Sequence, residues 1–175
     1  MKTWNIDKNH SEIGFSVKHL MVSTVKGTFD DFRGSVNASD DSFSDLSASF
    51  EASVSSVNTK NEMRDNHLKS ADFFDAENFP TLSFVSKSFT KKDGNEFTMT
   101  GDLTMRGVPK EVTLNVVFNG VSKSPIDGIR VAGFEVTGTI NRSDFGLVWN
   151  APVETGGVVV SDEVKLTLEV EAKEA

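Results

Sequence analysis

Apolar and polar residues alternate with a period of two through most of this chain, the pattern of strands with one buried face. Ile13, Phe15, Val17, His19 and Met21 share one parity, against Glu12, Ser16 and Lys18 on the other. Leu46, Ala48, Phe50, Ala52 and Val54 alternate with Ser47, Ser49, Glu51 and Ser53. Phe97, Met99, Gly101, Leu103 and Met105 alternate with polar residues, and Val112, Leu114, Val116 and Phe118 repeat the pattern. Ala132, Phe134, Val136 and Ile140 form a further row, and Val164, Leu166, Leu168 and Val170 another. Residues 25–37 and 81–89 read as strands with irregular spots at Gly27, Gly34 and Val85.

About eight strands thus follow one another, separated by turn signals such as Lys92-Asp93-Gly94-Asn95 and Arg106-Gly107-Val108-Pro109. One buried face per strand predicts antiparallel pairing, since a parallel sheet is covered on both sides. A single long sheet of this kind must close on itself or fold into a sandwich. A closed all-β barrel of one domain, residues 1–175, is the expectation.

One segment departs from the alternation. Thr59-Lys60-Asn61-Glu62 matches a capping box and predicts a short helix running to about Ser70. Met63 and His67 fall on adjoining helix positions, and Arg64 and Leu68 lie one turn apart. Phe73, Phe74 and Phe79 then crowd a loop that ends at Pro80. Three Phe in a short polar loop cover something apolar, either one barrel end as a lid or the barrel's outer wall.

Composition narrows the chemistry. The chain has 14 Phe, no Tyr and no Cys, which removes disulfides, thiolate catalysis and Cys-based metal sites. Its 18 Lys and Arg against 26 Asp and Glu give a net charge of −8, which disfavours nucleic acid as a partner and equally disfavours electrostatic attachment to an anionic bilayer. No apolar run is long enough for a membrane-spanning helix. The opening MKTWNIDKNHSEIGF lacks the apolar stretch of a signal peptide, so a cytoplasmic location is expected, or a periplasmic one if the chain is a trimmed mature form. No GxSxG elbow is present, and Gly156-Gly157 lacks the Lys-Ser/Thr of a phosphate loop. Asp30-Asp31 and Asp40-Asp41 read as carboxylates of solvated turns. His10, His19 and His67 make a zinc site only if the fold brings them together. What remains is the apolar interior. Small residues on inward parities, Ala48, Ala52, Gly101 and Ala132, leave room there for a ligand, while the large ones argue for a filled core.

The segments WNIDKNHSEIGFSVKHL, GTFDDFRG, RDNHLKSADFFD, GDLTMRGVPKEVTL and INRSDFGLVWN, in this order, resemble the YceI-like family across residues 3–172. The resemblance implies an extended lipocalin-like fold, an eight-stranded antiparallel barrel with one short helical insertion. It implies a lumen that binds a long amphiphile: a polyisoprenoid, an isoprenoid quinone or a fatty-acid derivative. It carries no catalytic residues and no cofactor, and it suggests a homodimer. Many family members are periplasmic. The candidate ligand-binding positions are Phe15, Val17 and His19; Ala48 and Phe50; Met63, His67 and Leu68 on the helix; and Phe73 in the loop. Phe84, Phe97, Met99, Leu103, Phe134 and Trp149 complete them. His19, at the end of an apolar row, suits a hydrogen bond to a quinone or amide head. The alternatives are an enzyme acting on such a lipid with His19 or His67 as acid–base, and a structural barrel with a filled lumen.

Overall fold

A computed structural model describes residues 1–151, 153 and 157–175; Gly156, half of the Gly156-Gly157 pair, lies outside the described residues. Eleven strands form one antiparallel sheet: β1 Lys2–Ile6, β2 Glu12–His19, β3 Ser23–Phe29, β4 Phe32–Ala38, β5 Ser47–Ser53, β6 Val57–Asn58, β7 Thr81–Asp93, β8 Glu96–Met105, β9 Val108–Lys123, β10 Arg130–Asn141 and β11 Val160–Glu174. One helix, α1 Glu62–Lys69, interrupts them. Pairing of β1 with β11 closes a ring of eight strands in the order β1-β4-β5-β7-β8-β9-β10-β11. The remaining three, β2, β3 and β6, continue off β11.

The count of eight and the extra strands have one origin. β11 pairs with β1 through Ala172–Glu174 and with β2 through Val160–Glu169, so β1 and β2 are two halves of one bent strand. Likewise β3 and β4 are separated only by Asp30 and Asp31, and the strand expected over 25–37 bends there. The first bend is held by charge. Asp7, 7% exposed at its side chain, accepts from His10 Nδ1 at 2.7 Å and from Lys173 Nζ at 3.0 Å. These bonds hold its carboxyl down at about 2 despite burial, and the Asp7 contact in turn raises the His10 imidazole.

The outward splay of β2-β3 leaves β6 unpaired with β7, so the wall parts at that end of the barrel. α1 and the loop after it fill the parting. The helix begins two residues later than its capping box implies. Asn61 is the N-cap, accepting from Arg64 N at 3.0 Å, because Thr59 is buried and engaged by Arg64 and Asp65. Phe73 and Phe74 are buried, so the loop is a lid over the barrel end, while Phe79 rests on Gly107.

The opposite end is shut by aromatic rings. Phe43 is fully buried with its centroid 5.2 Å from Trp4, 4.9 Å from Phe118 and 5.2 Å from Phe134. On β7 a bulge between Ser86 and Ser88 reverses the parity, so that Phe84 and Phe89 both turn inward and Val85 is exposed. Met21 does not continue the β2 row: the strand ends at His19, and Met21 sits exposed in the turn beyond it. The β2-β3-β6 extension keeps a free edge, because β3 pairs with β6 only at Thr28 and Phe29.

Candidate functional site

Two cavities lie end to end inside the barrel. The inner one, about 150 Å³, is walled almost wholly by apolar side chains, among them Phe15, Ala48, Phe50, Phe84, Met99, Leu103 and Phe134. The outer one, about 430 Å³, is the mouth beneath α1 and the lid, and is lined by Phe15, Val17, His19, Met63, His67, Leu68, Phe73 and Trp149 together with Lys18 and Arg64. Phe15 borders both. Its ring lies over Gly27, where a Cβ would overlap it, and against Phe29 at 5.6 Å, which meets Phe74 of the lid edge-on at 5.7 Å. Phe15 is therefore the partition between lumen and mouth, and an aromatic path links it to the lid.

The fold thus gathers fourteen of the fifteen candidate positions into these two adjoining spaces. Phe97 is the exception. It is buried but stacks on Phe89, with centroids 4.6 Å apart, away from both cavities. Of the small residues expected to leave room, only Ala48 borders the lumen. Ala52 and Ala132 are 1% and 0% exposed among packed neighbours, and the space over Gly101 is taken by the Phe84 ring. Met63 stands mostly in solvent at the mouth's edge, since the helix turns His67 and Leu68, not Met63, inward.

The charged and imidazole groups of the lining lie in the mouth. His67 Nε2 meets Asp72 Oδ2 at 2.9 Å while its ring packs edge-on against Trp149 at 4.8 Å and Phe73 at 5.0 Å. The His19 imidazole has no hydrogen-bond partner among the described residues, so its ring nitrogens remain available to a ligand head. The three His do not converge. His10 instead joins Asp7 and Glu171, whose ligand atoms fall within 4.8 Å, but Lys173 already sits on Asp7, so this group balances its own charge.

Three arginines build the mouth, and alternation alone could not reveal them. Arg64 donates to Thr59 Oγ1 at 2.8 Å and Thr59 O at 2.7 Å, anchoring α1. Arg106 donates to Phe73 O at 3.0 Å and Gly146 O at 3.1 Å, tying the lid to the loop after β10. Arg142, 6% exposed, donates to Ser161 O, Leu147 O, Trp149 O and Val160 O at 2.7–3.2 Å, and its burial lowers its proton affinity. Those bonds set Trp149 in place against His67 and Phe73. None of the three has a salt bridge among the described residues. The signal that could have found them is their position: one Arg stands in each of the segments RDNHLKSADFFD, GDLTMRGVPKEVTL and INRSDFGLVWN, and all three meet at the mouth.

Comparison with known proteins agrees with this architecture. A YceI-like domain model matches residues 4–172. UPF0312 proteins of Staphylococcus aureus strains MSSA476 and MW2 are 47% identical over 171 residues, covering 98% of this chain and 97% of theirs. Among solved structures, the Campylobacter jejuni YceI protein is 37% identical with a TM-score of 0.78 over 90% of each chain. Burkholderia cenocepacia BcnA is 25% identical with a TM-score of 0.80, covering 95% of this chain and 98% of its own. A polyisoprenoid-binding domain from Saccharophagus degradans shares the fold at 15% identity, with a TM-score of 0.66 over 98% of both chains.

Proposed function

The chain belongs to the YceI-like family, and from that premise we propose that it is a non-catalytic carrier holding one long-chain amphiphile, a polyisoprenoid, isoprenoid quinone or acyl chain, in its lumen. The observation that carries this reading is the division of labour between the cavities. An almost purely apolar lumen of about 150 Å³ leads past Phe15 into a mouth of about 430 Å³ that holds the charged and imidazole groups of the site. The polyisoprenoid-binding domain from Saccharophagus degradans shares this fold, which supports the ligand class.

The volumes say how binding proceeds. An apolar space of about 150 Å³ is dry and takes a molecule of about benzene size. A long chain therefore has to swing Phe15 aside and occupy lumen and mouth together, with its head beside His19 and His67. Each methylene moved from water is worth roughly 0.8 kcal/mol. A bilayer offers the chain the same gain, so the fit of the chain past Phe15 and the contacts of the head at the mouth set selectivity. Among the described residues His67 is paired with Asp72, which orients its ring, and His19 has no side-chain partner.

Organic extraction of the purified protein followed by mass spectrometry tests the reading. An isoprenoid or acyl lipid recovered at about one per chain, unchanged after incubation, supports it. Turnover of that lipid that vanishes in His19→Ala or His67→Ala would make the protein an enzyme instead. The expected homodimer has a concrete surface in the free edge of β3, and sedimentation as a single chain at micromolar concentration would reject it.

A further inference from the structure

The turn that joins β2 to β3 is built from the wrong residues for folding alone. Val22 N donates to His19 O at 3.1 Å, and the two central residues, Leu20 and Met21, have φ of +52° and +63°. Both therefore lie in the left-handed region, which hairpin turns fill with Asn or Gly and which penalises side chains such as Leu and Met. The penalty is not offset by burial. Leu20, Met21 and Val22 are 41%, 58% and 83% exposed.

These residues stand beside the mouth. Leu20 N donates to Val159 O at 2.9 Å, and Met21 Cγ lies 3.2 Å from where a Cβ on Gly157 would be, so the turn leans on the loop that carries Trp149. Met63, at the edge of the mouth, is 84% exposed, and Val148, next to Trp149, is 67% exposed. Five of the nine large apolar side chains exposed among the described residues thus ring one opening. Charge on the hairpin-and-helix side has the opposite sign to the whole. Residues 12–28 and 57–70 carry five Lys and Arg against three Asp and Glu, in a chain of net charge −8. Asp65 is already engaged by Thr59, whereas Lys18, Lys26 and Lys60 have no salt bridge among the described residues.

We propose that this rim is a docking surface for an anionic lipid bilayer, with the Leu20-Met21-Val22 turn, Met63 and Val148 entering the headgroup layer and Lys18, Lys26 and Lys60 facing the lipid phosphates. The proposal rests on the carrier reading and gives it a route. A chain that leaves the bilayer through a mouth seated on it never crosses water, which removes the barrier that solvating each methylene would impose. Apolar tips flanked by cations are the usual means of shallow, salt-sensitive membrane attachment.

Cosedimentation with mixed phosphatidylglycerol–phosphatidylcholine vesicles tests it, using the whole protein and the variant Leu20→Asn/Met21→Gly. The substitutions install the residues the turn prefers, so the variant melts no lower than the parent and remains folded. The parent is expected to sediment with the vesicles, less so at high salt or on phosphatidylcholine alone. The variant binds about tenfold more weakly or worse, while both load a short water-soluble isoprenoid alcohol equally. Equal sedimentation of parent and variant overturns the proposal. So does a parent that loads the alcohol but stays in the supernatant, or one that self-associates through the turn in place of binding vesicles. A parent that fails to load the alcohol at all would instead count against the carrier reading.

Discussion

Replacing Ala48 by Phe asks whether the lumen is real space. Ala48 lies on the inward row of β5 and borders the cavity of about 150 Å³, and the added ring is the size of molecule such a space accommodates. Restoring contacts around a void recovers about 24 cal/mol per Å³, so complete filling is worth at most about 3.6 kcal/mol. Ordering the new ring and an imperfect fit reduce this to a net gain of roughly 1–2 kcal/mol. For a domain of this size that corresponds to a rise of about 2–8 °C in Tm. The contrast is Ala52→Phe, four residues further along the same row, where the side chain is 1% exposed and borders neither cavity. There the ring overpacks the core and costs about 1–3 kcal/mol, lowering Tm. Differential scanning calorimetry on both variants, with a fluorescent isoprenoid to measure loading, reads the result. Ala48→Phe should melt higher and load poorly. A fall in Tm matching that of Ala52→Phe would refute the reasoning, because the lumen would then be as tightly packed as its surroundings.

Phe15→Ala removes the partition and joins the two cavities; it should cost about 3 kcal/mol, the lower end for a Phe that is only half buried, while stopped-flow uptake of the same fluorescent isoprenoid becomes faster. Arg142→Lys cannot reach the four carbonyls that the guanidinium serves, so a loss of about 2–4 kcal/mol in urea unfolding is expected, together with a red-shifted Trp149 emission. The bend at Asp7 is pH-sensitive in a defined direction. Because its folded carboxyl is held down at about 2, its contribution is complete above about pH 4 and lost as the pH falls toward 2. Asp7→Asn should therefore cost about 2 kcal/mol at neutral pH and flatten the acid limb of the stability curve measured by urea titration. His10, raised by Asp7, contributes below about pH 6.5 and loses that contribution as the pH climbs through its folded value.

Alternation was enough to read eight strands, because each row such as Phe97, Met99, Leu103 and Met105 carries its own burial signal locally. It could not reveal β1, five residues long, whose place is set by pairing with residues 172–174 at the far end of the chain. The bends were equally hidden: Asp30-Asp31 reads as a turn, but that it redirects a strand instead of ending it depends on which neighbours β3 and β4 find. The lining was legible where parity holds and failed where it does not. Met21 left the row because a three-residue turn ends β2, and Phe97 found Phe89 because a bulge turned that residue inward. The space itself was the least legible feature. Ala48 and Ala52 are indistinguishable by pattern, and only the packing around them decides that one borders a cavity and the other does not. The arginines of the mouth bond to backbone carbonyls, partners that have no residue type to recognise in a sequence.

In the proposed function, the lumen behind Phe15 holds the chain of an amphiphile. Photocrosslinking with an isoprenoid carrying a diazirine near its tail, followed by peptide mass spectrometry, locates that tail directly. The account predicts one adduct per protein on lumen residues such as Met99, Leu103 or Met105, abolished by Ala48→Phe. Adducts confined to the outer face of the barrel, or labelling of the lumen unchanged in Ala48→Phe, would contradict it.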